Sequence, residues 1–413
     1  FGSSLGLGLQ RRECDSVALR ADMHPRHQCI TASLICAVVL TGTANNFSGR
    51  IRAQTLGKYD GVVASIVDAC VFFSFYTIGF TVHAFRRPDE LTQQLKYVLK
   101  SREDQVASSW QNLGSWKWLV LAGLSDQCGN LCGFIAQPYL TVLMYSLMNQ
   151  AIILFTVIWS VLLLHTRYVA LEVVSVAVVV AAAVGCVLVA GGSNGENSTS
   201  MAILASTSTA FPAAAYVLKE LVFARFATES ARRTARLQGS DAAPAAPEAL
   251  SIFVVQLILG VVGLVAAVPL ALTSELLNSG KPVVALVDGF HCLVHCEHAL
   301  SAYAVYSVAN TLFNLSLILL VVHGSALLTF LALKIVVPVT ALLSVLPWPL
   351  IGSARVPTVQ WVLLCVILLG VAGFRAGNSY RERLREPGCC WPLIHLATGR
   401  SFDQSQISLE DCT

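Results

Sequence analysis

Three ionisable residues stand out inside long apolar runs of this 413-residue chain: Asp68 in SIVDACVFF, Asp126 in LAGLSDQCGNLCGFIAQPYL and Lys334 in FLALKIVVPV. Each costs roughly 2.5–3.5 kcal/mol at the centre of a membrane helix, so each is a functional candidate. Lys334 sits too deep in its run to reach the interface by snorkelling. Pro338, four residues on, weakens the helix where a polar space would need free backbone. The lysine suits a carboxylate, while Asp126 or Asp68 suits an ammonium group or a coupling proton. An internal ion pair between Lys334 and one aspartate is the plainer alternative.

Side chains four apart share a helix face. Asp126 and Asn130 therefore project together, Cys128 and Cys132 form a neighbouring stripe, and Asn310 and Asn314 repeat the pattern. Asn45, Asn46 and Gln150 add hydrogen-bonding groups to this candidate substrate site. The competing reading is interhelical hydrogen bonding, worth about 0.6 kcal/mol on average in membranes. For the two thiols, close packing through Gly129, Cys132 and Gly133 is favoured over a metal, since no histidine shares their span. GFHCLVHCEH reads either as a loop disulfide between Cys292 and Cys296 or as a zinc site with His291, His295 and His298. No second ligand pair follows at finger spacing, which favours the disulfide. No metal or other cofactor is expected. No H-E-x-x-H, G-x-S-x-G or phosphate-cradling glycine loop occurs, so an enzyme is the least favoured class.

The elements that must position these residues are membrane helices. Charged residues make up 12% and hydrophobic residues 55%, against roughly 25% charged in soluble domains, and the mean hydropathy is +0.67. Apolar runs long enough to cross a bilayer of roughly 30 Å recur at 29–49, 60–83, 117–137, 139–164, 168–191, 201–223, 249–273, 300–322, 324–348 and 358–378. The predicted fold is an all-α polytopic membrane protein of ten transmembrane helices, its partners the lipid bilayer and a small-molecule substrate rather than nucleic acid. Of the 27 Lys and Arg, 21 fall on the side holding both termini, which makes that side cytoplasmic. That count assigns Lys219 to a cytoplasmic cluster and Arg50 and Arg52 to the opposite loop. Residues 1–28 form a basic N-terminal segment without a secretory apolar core. A cytoplasmic linker spans 224–248 and a tail 379–413, and 91–99 carries helical amphipathic spacing on the cytoplasmic surface.

Sliding the chain on itself by 184 residues aligns 126–162 with 310–346, with eight identities in 37 positions. TVIWSVL (156–162) lies over TALLSVL (340–346), Asp126 over Asn310 and Gln150 over Lys334. Five spans per repeat, 29–191 and 201–378, force inverted orientations, a transporter architecture with its site near the midplane.

GFIAQPYLTVLMYSLMNQAIILFTVIWSVLLLHTRY (133–168) resembles the third-to-fifth helix region of the chloroquine resistance transporter family and its plant CRT-like relatives, through Asp126, Gln150 and Arg167-Tyr168. NNFSGRIRAQTLGKY (45–59) is similar to that family's first-helix end, with Asn45, Phe47, Gly57 and Tyr59 fitting. SVANTLFNLSLILLVVHGSALLTFLALKIVVP (307–338) and VAGFRAGN (371–378) are similar to its eighth to tenth helices, and GFHCLVHCEH to a shortened form of its cysteine-bearing loop. Lys334 departs from the uncharged residues usual there. The resemblance implies a drug/metabolite-type secondary transporter of an organelle membrane (plastid, vacuole or lysosome-like), with alternating access and proton coupling. It also implies substrates such as glutathione and other thiols, amino acids, peptides or drugs. A sugar-phosphate or nucleotide-sugar exchanger, with Lys334 on the phosphate, and a non-transporting scaffold or receptor are the rival expectations.

Overall fold

The computed structural model describes residues 25–99, 115–164, 166, 168–192, 198–238, 250–323, 326–347 and 358–384. Every regular element among them is helical: α1 (Pro25–Leu56), α2 (Asp60–Arg86), α3 (Pro88–Leu99), α4 (Ser115–Ala136), α5 (Val142–Met148), α6 (Ile152–Leu164), α7 (Ala170–Gly192), α8 (Thr199–Ser208), α9 (Ala210–Gln238), α10 (Ile252–Ser279), α11 (Pro282–His295), α12 (Ala299–His323), α13 (Ala326–Ser344) and α14 (Thr358–Leu384). A helix satisfies its own backbone, the requirement lipid imposes. Embedded hydroxyls do not break the spans because they donate back one turn, as Thr41 does to the Ala37 carbonyl and Thr156 to that of Ile152.

Six helical stretches are long and apolar enough to cross a bilayer, or seven if the bent α11–α12 pair counts as one. The stretch Ile30–Arg86 runs 57 residues, more than twice the roughly 20 that one crossing needs. It is continuous because α1 and α2 meet through one 3-10 turn, Gly57–Tyr59, in which Gly57 takes a φ of 56°. The expected runs 139–164 and 201–223 are both interrupted, the first by the 3-10 turn Asn149–Ala151 that carries Gln150, the second at Thr209 between α8 and α9.

Glycine seams set the helix spacing. On α14, a Cβ at Gly370, Gly373 or Gly377 would lie 2.6–2.7 Å from Val179, Ser175 or Glu172 of α7. On α4, a Cβ at Gly129 would sit 2.6 Å from Cδ of Pro212 on α9, and one at Gly123 3.0 Å from Val262 of α10. Small residues let backbones approach where no hydrophobic force drives helices together in lipid. In this way α4 is clasped by α9, α10 and α2, while α1 packs on α12 and α13.

The amphipathic 91–99 segment forms α3, whose Leu91 and Val98 bury beside Trp118 and Phe226. The predicted linker differs at its start. Residues 224–238 continue α9, because FARFATESARRTARL is rich in the strong helix formers Ala and Arg. The rest of the linker, the two terminal segments up to 24 and from 385, and Arg167 lie outside the described residues.

Candidate functional site

The polar residues gather at three centres rather than one. The first lies where α1 ends, α2 begins, α4 ends and α12 begins. The Arg52 guanidinium donates to both Asp60 oxygens, at 2.9 and 3.0 Å, and to Oε1 of Gln137 at 2.9 Å. It lies between the rings of Phe134 and Tyr306, 4.5 and 4.1 Å from their centroids. Both charged side chains are fully buried. The chain of bonds continues through Asn310, whose amide donates to Asp68 at 3.2 Å and to the Tyr306 hydroxyl at 3.1 Å, and Asn314 donates back to Asn310. Arg50 donates to the Gln137 carbonyl. A charge this deep is tolerated only beside an opposite charge and hydrogen-bond partners; one guanidinium nitrogen, Nη1, is buried without a hydrogen-bond partner among the described residues.

The second centre joins α1, α5 and α13. Lys334 Nζ donates to Oε1 of Gln150 at 2.7 Å, across 184 residues of sequence. The Gln150 amide donates to the Ser146 carbonyl, and Asn46 donates to the Ser146 and Thr340 hydroxyls. Neighbouring Asn45 has a buried side-chain oxygen with no hydrogen-bond partner among the described residues.

The third centre is on α4 and α9. Lys219 Nζ lies 3.2 Å from Oδ2 of Asp126, with side-chain exposures of 14% and 35%, and 5.2 Å from the centroid of the Tyr216 ring. Tyr216 is itself 55% exposed, and its hydroxyl and that of Tyr76 fall within electrostatic range of Asp126. At about 100° per residue, Asp126 and Asn130 lie on the side of α4 opposite exposed Leu121 and Leu124. That inner side turns between the α9 flank, marked by Gly129 on Pro212, and the α2 and α10 flank, where Gln127 donates to Ser65 and faces Gly263. A one-third exposed carboxylate there is not fully covered by the neighbouring helices. Cys128 and Cys132 fall on the leucine side and are free, away from the Asp126 face, so the close approach is made by Gly129 and Gly133.

The expected site residues are thus divided. Lys334 pairs with Gln150, Asp126 with Lys219, and Asp68 with Asn310; Asp126 and Asn310 do not share a centre. Lys219, counted in the sequence as a cytoplasmic cation, lies in the apolar stretch Thr199–Ala227, because α9 continues through the polar residues that end the run. Arg52, counted as a loop residue, is an interior one. Its signal was an Arg eight residues before an Asp across a glycine-marked helix end. A disulfide joins Cys292 to Cys296 at the end of α11, and among the described residues no three His, Cys, Asp or Glu cluster as metal ligands.

The family model of CRT-like, chloroquine-resistance transporter-like proteins matches residues 92–374, which hold α4 to α13 and with them Asp126, Lys219, Gln150 and Lys334. The chloroplastic protein CLT2 of Arabidopsis thaliana is 22% identical over 363 residues, covering 84% of this chain and 75% of that protein. Its apolar helices and this match together make the chain a membrane transporter of the drug/metabolite type, and it belongs to the CRT-like family.

Proposed function

We propose that the chain is a secondary active transporter that carries a small polar or zwitterionic solute across an organelle membrane by alternating access. Candidate solutes are thiols such as glutathione, amino acids, peptides and drugs. One observation carries the reading: a partly exposed carboxylate and ammonium sit together inside apolar helices, Asp126 near the middle of Ser115–Tyr139 and Lys219 eight residues before the end of Thr199–Ala227. Water-accessible charge at that depth is costly, and offers a binding point for each end of a zwitterion. Lys334, 8% exposed and held by Gln150, is assigned to the supporting wall, with Asn46 and Thr340 beside it.

The ten-crossing inverted repeat is supported by the pairing of helices. At an offset of 184, α1 corresponds to α9, α2 to α10, α4 to α12, α5–α6 to α13 and α7 to α14. The packing of α1 on α12 is then matched by α9 on α4, and that of α1 on α13 by α9 on α6, while α2 packs on α10 and α7 on α14. Gln150 and Lys334 are equivalent positions in contact, as residues beside a two-fold axis must be. Two contacts break the symmetry. α4 packs closely on α2 and α10, whereas α12 leans mainly on α1. Unequal closure of equivalent helices is what a carrier resting with one side open requires. Both termini are assigned to the cytoplasmic side on the distribution of Lys and Arg along the sequence, and the chloroplastic relative supports an organelle membrane.

The purified chain in liposomes, given radiolabelled glutathione, cysteine and lysine in turn, tests this. Asp126→Asn is expected to lower uptake of the preferred solute roughly tenfold or more, a loss of about 1.4 kcal/mol of binding. Uptake undiminished in that variant overturns the site.

A further inference from the structure

We infer that Lys219 is a tethered cation that occupies Asp126 whenever solute is absent, and thereby allows the empty carrier to reorient. This rests on the transport reading above. Asp126 and Lys219 belong to different helices, α4 and α9, held in register by the Gly129–Pro212 contact. The pair is close at 3.2 Å yet incompletely buried on either side, so an incoming ammonium group can reach the carboxylate. A lysine is a point charge on a flexible four-carbon stem. It can swing aside toward the Tyr216 ring, already 5.2 Å away, without helix movement. The contrast with Arg52 is direct: that cation is fixed by two Asp60 oxygens, Gln137 and two aromatic faces, and is not exchangeable.

The consequence follows from electrostatics. To return empty, a carrier must close around its site from both sides. A lone carboxylate enclosed in that way would lose its water without compensation. With Lys219 on Asp126 the empty site is neutral and closes. When a solute ammonium replaces it, the loaded site also closes, and the solute's carboxylate meets the displaced Lys219. The chain should therefore run net transport as well as exchange, and neutralising Lys219 should cost net transport more than exchange.

Two measurements decide this. Liposomes carrying the unsubstituted chain or Lys219→Ala are given radiolabelled glutathione, with or without unlabelled glutathione inside. The variant is expected to lose uptake into empty liposomes roughly tenfold more than uptake into preloaded ones. Equal loss in both modes, or no loss, overturns the inference. The second measurement needs no solute. Methylammonium, supplying the missing charge, is expected to raise the Tm of Lys219→Ala by roughly 2 °C or more, and to leave Lys219→Ala/Asp126→Asn and the unsubstituted chain unmoved. A shift of equal size in the double variant, or none in the single, also overturns it. If the unsubstituted chain moves glutathione in neither mode, the transport reading fails for that solute, and the tethered-cation inference is decided by the methylammonium shift.

Discussion

Arg52–Asp60 and Lys219–Asp126 are both ion pairs inside apolar helices, and their surroundings make them opposites. At the first, neither side chain is exposed, the guanidinium is held by Asp60, Gln137 and two aromatic rings, and the pair ties α1 and α2 to α4 and α12. At the second, the same charges face open space across two helices, with exposures of 14% and 35%. A sealed pair fixes geometry because neither charge can be reached from outside the helices that enclose it. An accessible pair is exchangeable because water, or a solute, can take either place. The sealed pair is therefore a bolt for one end of the bundle, and the accessible pair is where the proposed solute would bind.

The largest expected effect tests that distinction. Arg52→Ala leaves Asp60 buried and uncompensated, a loss of about 3–5 kcal/mol. Lys219→Ala, at a site open to solvent, should cost less than about 1 kcal/mol. Thermal unfolding of both variants in detergent reads the difference directly, and equal losses would erase the comparison.

A middle effect concerns what holds the accessible pair together. Gly129→Val places a Cβ against the Pro212 ring, which cannot yield as a flexible side chain would, and overpacking of this kind costs about 1–3 kcal/mol. Solute uptake should fall along with Tm, since α9 carries Lys219 away from Asp126. A variant that lowers Tm with uptake intact would separate the seam from the site.

The smallest effect is at the second centre. Asn46→Ala removes bonds to Ser146 and Thr340, and interhelical bonds in membranes average about 0.6 kcal/mol. A Tm change beyond roughly 2 °C would mean that Asn46 belongs with the sealed network rather than beside a tolerant wall.

Much of this was legible in the residues alone. Asp126 and Lys334 were visible as interior charges because hydropathy is a local property, and the 184-residue offset set Gln150 opposite Lys334, a pair that meets at 2.7 Å. What escaped was charge at helix ends. Arg52 lies just past the run 29–49 and Lys219 near the end of the run 201–223, so the charge count put both outside the bilayer, although α1 continues to Leu56 and α9 to Gln238. The linker was misplaced for the same reason: composition reports polarity, and a polar helix leaving the bilayer looks like a loop.

The sequence by itself determined that this chain is a membrane protein of apolar helices, which residues put charge inside them, and that its two halves share a pattern. Each of these depends on neighbours along the chain. Only the tertiary structure decided which cation meets which aspartate, because partners separated by 93 residues are chosen by the facing of helices and the closeness that glycine seams permit. It also decided which of two like pairs is sealed and which is open, a property of the space around a charge that no spacing of residues records.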